Sequence, residues 1–555
     1  MSESSIPLRE KSGRIAWGIL GASLGVWGFL ALRTNFLIDD AFISFRYAKL
    51  WAETGVPTYE PTTQPPVEGY SNFLWVVLLR IAHGLGSSLE TASRILSVLF
   101  GAGTILLLWR FLRERGLAAG PLAVGCFALA ASPPFAVWTT GGLETASFGF
   151  FLFAAFLALI RPAGSSERWQ GALAGLLGLA VALSRAEGFV WVLVIAACSW
   201  LTLGRATGGS ALRKQRFVPY FLIYLLGYGA FLLWRQSVYG EWMANTAHAK
   251  AGLSYEVFLR GLKTTASYLL ILITPLAALV ALPFSVRAAD DRRALAVGVT
   301  GMFLAGLGYN TLVGGDWMPF FRFLAPLTPF LAILAALVAS CCRASTWSMG
   351  GFVAVGMLPL FDIVLSPRAI LEPLYFRGFV LSSYETEQQR WAKGVENLEA
   401  FSDIGRALGQ IATPEDSITF GAIGAIGWYS GLKIHDRNGL VDREVARRPK
   451  ADANKSAGHD KQVSRAFFLE REPTLFHAVF LRGPRTPEAE RNLLGLAVNR
   501  VFGSGPEENA LRRACLPEVH VIREEGETRP GTLLVLRATD DSRRAEAYWE
   551  RVLGP

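Results

Sequence analysis

The sequence predicts a polytopic α-helical membrane protein, with about eleven transmembrane helices and a C-terminal extracytoplasmic α/β domain. Hydrophobic residues make up 52% of the 555 residues and charged residues only 18%, whereas soluble domains carry about 25% charged residues. Apolar runs of membrane length recur through the first two thirds of the chain. From about residue 366 the sequence is charged and punctuated by proline, which indicates a separate globular domain.

The first apolar run covers about residues 15–37 and follows three basic residues, Arg9, Lys11 and Arg14. A signal peptide begins in the same way, but this run exceeds the usual hydrophobic region and has no small-residue cleavage motif before Asp39. We therefore expect a retained transmembrane helix. Its basic flank places the N-terminus in the cytoplasm, so Asp39 faces the outside.

Ten further spans are predicted from apolar runs of suitable length. They lie at about residues 92–111, 119–137, 146–161, 170–185, 188–204, 217–234, 265–285, 294–312, 323–341 and 347–365. Arginines collect in the loops that this order places in the cytoplasm. A short aromatic run, Asn72–Gly86, carries Arg80 and His83 and is expected to form an interfacial helix.

Because the N-terminus is predicted to be cytoplasmic and the number of spans is odd, the C-terminal region should lie on the extracytoplasmic side. We therefore predict a membrane domain over residues 1–365 and an extracytoplasmic soluble α/β domain over residues 366–555. Two short apolar segments, Ser417–Phe420 and Gly531–Leu536, are expected to be strands of this soluble domain.

The charge and cysteine content exclude several classes of function. The net charge of +9 is typical of a membrane protein, whose basic residues collect in cytoplasmic loops and near anionic headgroups, so no nucleic-acid partner is expected. The five cysteines form no CxxC pair, which argues against a zinc site or a disulfide framework. We expect them to be packing residues.

Nearly all unusual polar clusters fall in segments that this topology places outside. Ionisable residues at membrane depth are costly and usually functional, and acids mixed with cations suit a substrate that carries both phosphate and sugar hydroxyls. The clusters are Asp39-Asp40 with Arg46, Glu68-Gly-Tyr70-Ser-Asn72, Gly141-Gly142-Leu-Glu144-Thr145, Ser184-Arg185-Ala-Glu187-Gly188, Asn245-Thr246-Ala-His248-Ala-Lys250, and Gly314-Gly315-Asp316-Trp317 with Arg322.

Each cluster also has a purely structural interpretation. Asp39 and Asp40 could cap a helix that starts at Ala41, although a cap needs only one carboxylate. Arg185 and Glu187 could form a local ion pair in a hairpin between two spans. The glycine pair before Asp316 indicates only a turn when taken alone, and His248 alone could be a solvated interfacial residue.

The order of the motifs resembles that of the polyprenyl-phosphate-sugar glycosyltransferases of the C superfamily (GT-C). Within them the chain is most similar to the terminal arabinofuranosyltransferases of actinobacterial cell walls and their bacterial relatives. The resemblance rests on Asp39-Asp-Ala-Phe-Ile-Ser-Phe-Arg-Tyr47, Val67-Glu-Gly-Tyr-Ser-Asn72, Gly142-Leu-Glu-Thr145, Arg185-Ala-Glu-Gly188, Asn245-Thr246 with Lys250, and Gly314-Gly-Asp-Trp-Met-Pro319 before Arg322. It continues weakly into Ile426-Gly-Trp-Tyr-Ser430 and Asp436-Arg-Asn-Gly-Leu-Val-Asp442.

The resemblance implies a donor in which a sugar, D-arabinofuranose, is joined through one phosphate to a long polyprenol. The acceptor would be a glycan, lipid or protein on the outer side of a bacterial inner (plasma) membrane. Lys250, Arg322 and Arg46 would bind the donor phosphate. Either Asp39 or Asp40, equally, would act as the general base or support oxocarbenium-like charge.

The remaining motif residues are expected to bind the sugar or the acceptor. They are Glu68, Tyr70, Glu144, Arg185, Glu187, Asn245, His248, Asp316 and Trp317. The four carboxylates among them could instead hold a divalent cation, and the sequence leaves this open. No other cofactor is expected. The alternative is a transporter or flippase of a lipid-linked sugar, whose polar residues should lie near the bilayer midplane on broken helices.

Overall fold

A computed structural model describes the chain over residues 6–162, 166–203, 209–249, 252, 254–272, 274–286, 290–341, 346–374, 384–449, 461, 463–502 and 506–553. By internal contacts the chain divides into two compact units. The first comprises Met1–Leu37, Ser71–Trp242 and Gly252–Ala392, and the second comprises Ile38–Tyr70, Met243–Ala251 and Lys393–Pro555.

Most of the described chain is helical. The helices are α1 (Ile6–Arg33), α2 (Asp39–Thr54), α3 (Phe73–Gly84), α4 (Leu89–Glu114), α5 (Ala119–Ala130), α6 (Pro133–Val137), α7 (Thr145–Leu159), α8 (Glu167–Ser184), α9 (Gly188–Leu203), α10 (Gly209–Tyr239), α11 (Asn245–Ala249), α12 (Tyr255–Leu272), α13 (Thr274–Val286), α14 (Asp290–Leu312), α15 (Thr328–Cys341), α16 (Thr346–Met357), α17 (Arg368–Leu371), α18 (Glu387–Ile411), α19 (Gly424–Ser430), α20 (Arg443–Arg447), α21 (Pro487–Val501), α22 (Pro506–Ala514) and α23 (Ser542–Leu553). The strands are β1 (Ser417–Phe420), β2 (Lys433–Asp436), β3 (Leu475–Arg482), β4 (Cys515–Ile522) and β5 (Gly531–Ala538).

The first unit is a bundle of apolar helices, and the protein is membrane-embedded. Within the described residues, four helices are long and apolar enough to cross a bilayer, namely Gly13–Arg33, Leu89–Glu114, Arg213–Tyr239 and Arg292–Leu312. Six other apolar helices have only 10 to 17 residues, shorter than the roughly 20 residues that a bilayer core requires. The count of eleven spans therefore stays a prediction, and the span predicted at about 265–285 overlaps two helices, α12 and α13.

Small residues allow helices of the first unit to approach closely, as is common in membrane bundles. On α8, a Cβ atom added to Gly171 would lie 2.2 Å from the carbonyl oxygen of Arg216 on α10, and one added to Gly175 would lie 2.9 Å from that of Tyr220. The side chain of Arg216 is buried and pairs with Glu167 at the start of α8. The two helices are thus fixed against each other along their length.

The second unit is built around a five-stranded mixed sheet with the strand order β2-β1-β3-β5-β4. Strands β1 and β2 are parallel and α19 connects them, β3 joins β1 in parallel, and β5 pairs with β3 and β4 in antiparallel fashion. Apolar residues of α21, α23, β3 and β5 form its core, including Leu493, Trp549, Phe476 and Leu536. Both predicted strands, at Ser417–Phe420 and Gly531–Leu536, are confirmed.

The division into units differs from the predicted boundary at 365/366. The segment after it, up to Ala392, belongs to the first unit. Two segments that were expected in the membrane domain, Ile38–Tyr70 and Met243–Ala251, belong to the second unit. Their buried residues contact the α/β part of the chain, and such long-range packing is not visible in local composition.

Candidate active site

Three predicted site residues form a buried ion cluster in the first unit. Glu144 lies directly before α7, Arg185 follows the end of α8, and Glu187 lies directly before α9. The Nε atom of Arg185 is 3.3 Å from Glu144 Oε1 and 3.1 Å from Glu187 Oε1. The local ion pair considered from the sequence therefore exists, but it also includes a carboxylate from a separate hairpin.

A second ion pair lies in the loop that follows α14. The Nε atom of Arg322 donates to Asp316 Oδ2 at 3.0 Å, while Asp316 Oδ1 accepts from the backbone N–H of Met318 at 3.2 Å. The loop is backbone-strained, because Phe320 and Phe321 both have positive φ values, of 52° and 51°. Strain of this kind is concentrated at functional sites.

Both arginines lie over the same aromatic ring. The guanidinium carbon of Arg185 is 4.8 Å from the ring centroid of Phe323, and that of Arg322 is 5.0 Å from it. Each guanidinium is held through Nε by carboxylates, and within the described residues the Nη1 and Nη2 atoms of both make no hydrogen bond. The side chains are only 6% and 12% exposed. We call Arg185, Arg322 and Phe323 the arginine cradle.

Three contributors to this region were missed as site residues. The ring of Tyr309 packs against that of Phe323 with a centroid distance of 5.9 Å. Asn72 Nδ2 donates to Glu144 Oε2 at 3.1 Å, and both guanidiniums lie over the ring of Phe323. The polar residues at the end of the apolar α14 could have indicated Tyr309. Trp317, which was predicted to bind sugar, accepts a hydrogen bond from Arg390 with its carbonyl.

In the second unit the two adjacent acids begin α2. The carboxylate of Asp39 accepts two backbone N–H bonds at the start of α19, from Ala425 at 2.7 Å to Oδ1 and from Gly424 at 3.2 Å to Oδ2. Both oxygens of Asp39 are therefore engaged. Asp40, its neighbour in the first turn of α2, is half-buried.

The contacts of Arg46 indicate a structural role, and its predicted binding of the donor phosphate stays a prediction. Its side chain is 7% exposed. The guanidinium donates to the carbonyl oxygens of Tyr59 at 2.9 Å, Gly427 at 2.5 Å and Leu432 at 3.0 Å. Backbone carbonyls thus use donors on all three nitrogens, a requirement that the sequence motif does not reveal.

Asn245 is likewise a structural connector within the second unit. Its Nδ2 donates to the carbonyl oxygens of Gly439 at 2.8 Å and Leu440 at 2.9 Å, and its backbone N–H donates to the carbonyl of Glu68 at 3.0 Å. These contacts differ from the predicted role in sugar binding. They connect three of the ordered motifs of the sequence.

The other predicted residues of the second unit lie around this connection. Glu68 and Tyr70 are buried, and the Tyr70 ring packs edge-on against Tyr47 with a centroid distance of 4.7 Å. His248 lies on α11, where its carbonyl accepts a hydrogen bond from Lys461. Lys250 lies outside the described residues, so its role in phosphate binding stays a prediction.

The sequence left open whether the protein binds a divalent cation. Within the described ranges, no three His, Cys, Asp or Glu side chains lie together in a way that could hold a metal ion. Glu144 and Glu187 both pair with Arg185 instead. Metal dependence therefore stays an open prediction.

The stability of the protein is expected to respond to the ionisation of Asp39. Burial raises the pKa of Asp39 to about 7, the hydrogen bond from Ala425 opposes this effect, and Asp40 adds to it. Because this pKa exceeds the usual 3.8, the folded protein retains a proton that the unfolded chain releases, and the resulting stability is lost as the pH rises through 7. Asp39→Asn cannot titrate. The Tm of wild type minus the Tm of the variant should therefore decrease as the pH is raised from 5 to 8. Thermal unfolding in detergent measures it, and a difference independent of pH would contradict the expectation.

Comparisons with known proteins give matches at the level of a domain and of the fold. Residues 384–508 match a family described as Domain of unknown function (DUF8728). A search of curated proteins gives no match.

Matches to solved structures cover nearly the whole chain. The crystal structure of ArnT from Cupriavidus metallidurans bound to undecaprenyl phosphate is 14% identical with a TM-score of 0.51, over 93% of this chain and 97% of that one. Its apo state is 13% identical with a TM-score of 0.48, over 93% and 97%. The arabinofuranosyltransferase AftD from mycobacteria is 14% identical with a TM-score of 0.48, over 94% of this chain and 40% of AftD.

The protein therefore has a GT-C-like fold, with an apolar helical unit and a C-terminal sheet domain. This confirms the fold class predicted from the sequence.

Proposed function

We propose that the protein is a membrane glycosyltransferase that moves a sugar from a polyprenyl-phosphate donor to a glycan, lipid or protein acceptor on the extracytoplasmic side. The observation that carries this proposal is the arginine cradle of the first unit. Arg185 and Arg322, 6% and 12% exposed, lie over the same ring, and within the described residues their Nη atoms make no hydrogen bond. Carboxylates already balance the two charges, so the cradle offers a lipid phosphate oriented N–H donors rather than excess positive charge.

The cradle suits a leaving phosphate because its cations are oriented in advance. Asp316 holds Arg322, and Glu144 with Glu187 holds Arg185, each through Nε. The amino groups that remain can bind phosphate oxygens with two parallel hydrogen bonds. Preorganised cations stabilise the charge that develops on a leaving group without reorganisation during the reaction. Arg185 is thus proposed as a phosphate-binding residue alongside Arg322.

A groove beside the cradle supports a long apolar tail on the donor. Residues of α5, α12, α13, α15 and α16 line it. Tyr268 lies in its wall and packs edge-on against Phe321, the residue before Arg322, with a centroid distance of 5.3 Å. A phosphate held by the cradle would therefore have an apolar path for its prenyl chain next to it.

We propose Asp40 as the general base; Asp39, whose two carboxylate oxygens accept backbone hydrogen bonds, is the acid that the sequence left equally open for this role. The base takes the proton of the acceptor hydroxyl while the acceptor oxygen bonds to the anomeric carbon. The bond from that carbon to the phosphate oxygen breaks, and polyprenyl phosphate leaves with the electron pair. D-Arabinofuranose as the sugar rests on the resemblance of the ordered motifs alone.

The position of the charged residues favours an enzyme over a transporter or flippase. Glu144, Arg185 and Glu187 lie at helix ends, and Asp316 with Arg322 lies in a loop. A transporter is expected to carry its polar residues on broken helices near the midplane. The undecaprenyl phosphate in the ArnT structure supports the donor class, since that protein shares the fold.

Turnover by the purified protein tests the proposal. The protein in lipid vesicles is mixed with a panel of polyprenyl-phosphate sugars and candidate acceptors, and release of polyprenyl phosphate is measured. We expect release with at least one donor, and it should require the acceptor. A protein that moves the intact donor between leaflets but never cleaves it is a flippase, and the proposal is then wrong.

The proposed topology has its own test. The arginine bias and the odd number of predicted spans place both the loop around Asp39 and residues 366–555 outside. A periplasmic reporter fused after Leu365 should therefore be active, and a cytoplasmic reporter at the same position should not. The opposite pattern would overturn the topology.

A further inference from the structure

Helix α2 holds α19 at both ends. At the start of α19, Asp39 accepts the N–H groups of Ala425 and Gly424. At its other end, Arg46 donates to the carbonyls of Gly427 and Leu432. A carboxylate at the N-terminus and a cation at the C-terminus of a helix both match its dipole.

The spacing within α2 fits the length of α19. Asp39 and Arg46 are seven residues apart, which is two helical turns, so they lie on one face of α2. The seven residues Gly424–Ser430 form α19. Between the two polar contacts, the ring of Phe42 packs against Tyr429 and Trp428 with centroid distances of 5.6 and 6.4 Å.

Two glycines of α19 permit this close approach. A Cβ atom on Gly424 would lie 1.9 Å from the backbone oxygen of Asp39, and one on Gly427 would lie 2.1 Å from the hydroxyl of Tyr59. That hydroxyl also donates to the carbonyl of Ile423 at 2.6 Å. The start of α19 is thus fixed to α2 by side chains and by backbone contact.

Burial raises the pKa of Asp39, so ionisation of its carboxyl group costs the folded protein free energy. The hydrogen bonds from Ala425 and Gly424 offset part of this cost, which ties the carboxylate form of Asp39 to the start of α19.

We propose that Asp39 is a positioning residue: by holding the start of α19, it fixes the first turn of α2 and so orients Asp40. The two acids then have different roles: Asp39 positions the first turn of α2, and Asp40 reacts. This inference rests on the proposed function for the role of Asp40 as the reacting acid. The contact between Asp39 and α19 can be tested without any substrate.

Hydrogen exchange and sugar transfer, measured on the same full-length variants in detergent, test the inference. In Asp39→Ala the amides of Gly424 and Ala425 should exchange on the order of tenfold faster, because they lose their acceptor. Transfer should fall on the order of 10²-fold through misplacement of Asp40. In Asp39→Asn one oxygen can still accept from Ala425. The rise in amide exchange and the loss of transfer should therefore both be smaller than in Asp39→Ala.

Matched variants separate positioning from chemistry. Asp40→Ala should leave exchange at residues 424–425 unchanged. Gly424→Ala should reproduce the fast exchange of Asp39→Ala, whereas Gly495→Ala, whose added Cβ would meet nothing within 4 Å, should not.

Several results would overturn the inference. Unchanged exchange in Asp39→Ala would show that the acid does not hold α19, and fast exchange with normal transfer would show that holding it positions nothing. Equal loss of transfer in Asp39→Asn and Asp39→Ala, with normal exchange, would make Asp39 the reacting acid. If wild type transfers no sugar from any donor, the proposed function fails, and the exchange data still decide whether Asp39 holds α19.

Discussion

Asp40→Asn is expected to lower the rate of sugar transfer by on the order of 10²–10⁴-fold, the usual cost of losing a general base. An amide has nearly the shape of a carboxyl group but cannot take the proton of the acceptor hydroxyl. Asp40 is half-buried in the first turn of α2. The loss should therefore appear in kcat, while the donor KM stays close to that of wild type.

Initial rates of polyprenyl phosphate release, with Tm measured on the same samples, check this result. Asp540→Asn, on an exposed loop of the second unit, is the matched control and should behave as wild type. If Asp40→Asn transfers sugar at near the wild-type rate, Asp40 is only part of the helix N-terminus and the proposed base is wrong. A large fall in Tm would instead indicate a folding defect.

Local patterns of sequence predicted the elements and the broad grouping of the site. Periodicity and length predicted the apolar helices and the strand at Ser417–Phe420. Charge at the ends of apolar runs singled out Glu144, Arg185, Glu187 and Asp316, and the first three form one ion cluster. These signals are local, because a residue's neighbours in the chain determine whether it lies in a helix or at its end.

Roles that depend on distant partners could not be predicted in this way. Arg46 donates to the carbonyl of Gly427, 381 positions along the chain, and Asn245 donates to that of Gly439, 194 positions away. A backbone carbonyl leaves no mark in the sequence, so both residues were expected to bind substrate. Phe323 was missed for a related reason, since a phenylalanine in an apolar segment gives no signal that two arginines lie over its ring.

Arg322→Lys is expected to weaken donor binding by on the order of 10–10²-fold although it keeps the charge. Arginine uses Nε for Asp316 and presents two further amino groups, whereas lysine has a single ammonium that cannot serve both. Arg185→Lys should show a similar loss for the same reason, because Glu144 and Glu187 occupy its Nε. If both side chains bind one phosphate, the double variant should lose less than the product of the two single effects. Lys250→Ala is also expected to impair binding and transfer, as predicted from the sequence.

Titration of a non-hydrolysable polyprenyl-phosphate sugar analogue against the single and double variants measures these losses. Arg213→Lys is the matched control, since Arg213 lies over the ring of Trp200 on the apolar bundle and should tolerate lysine. The competing explanation is that Arg322 only extends from the helical bundle toward the membrane interface, where lysine serves equally well. Unchanged affinity and turnover in Arg322→Lys would favour that explanation. Loss of affinity that is independent of the phosphate, seen equally with a polyprenol lacking it, would show that the arginine cradle does not bind the anion.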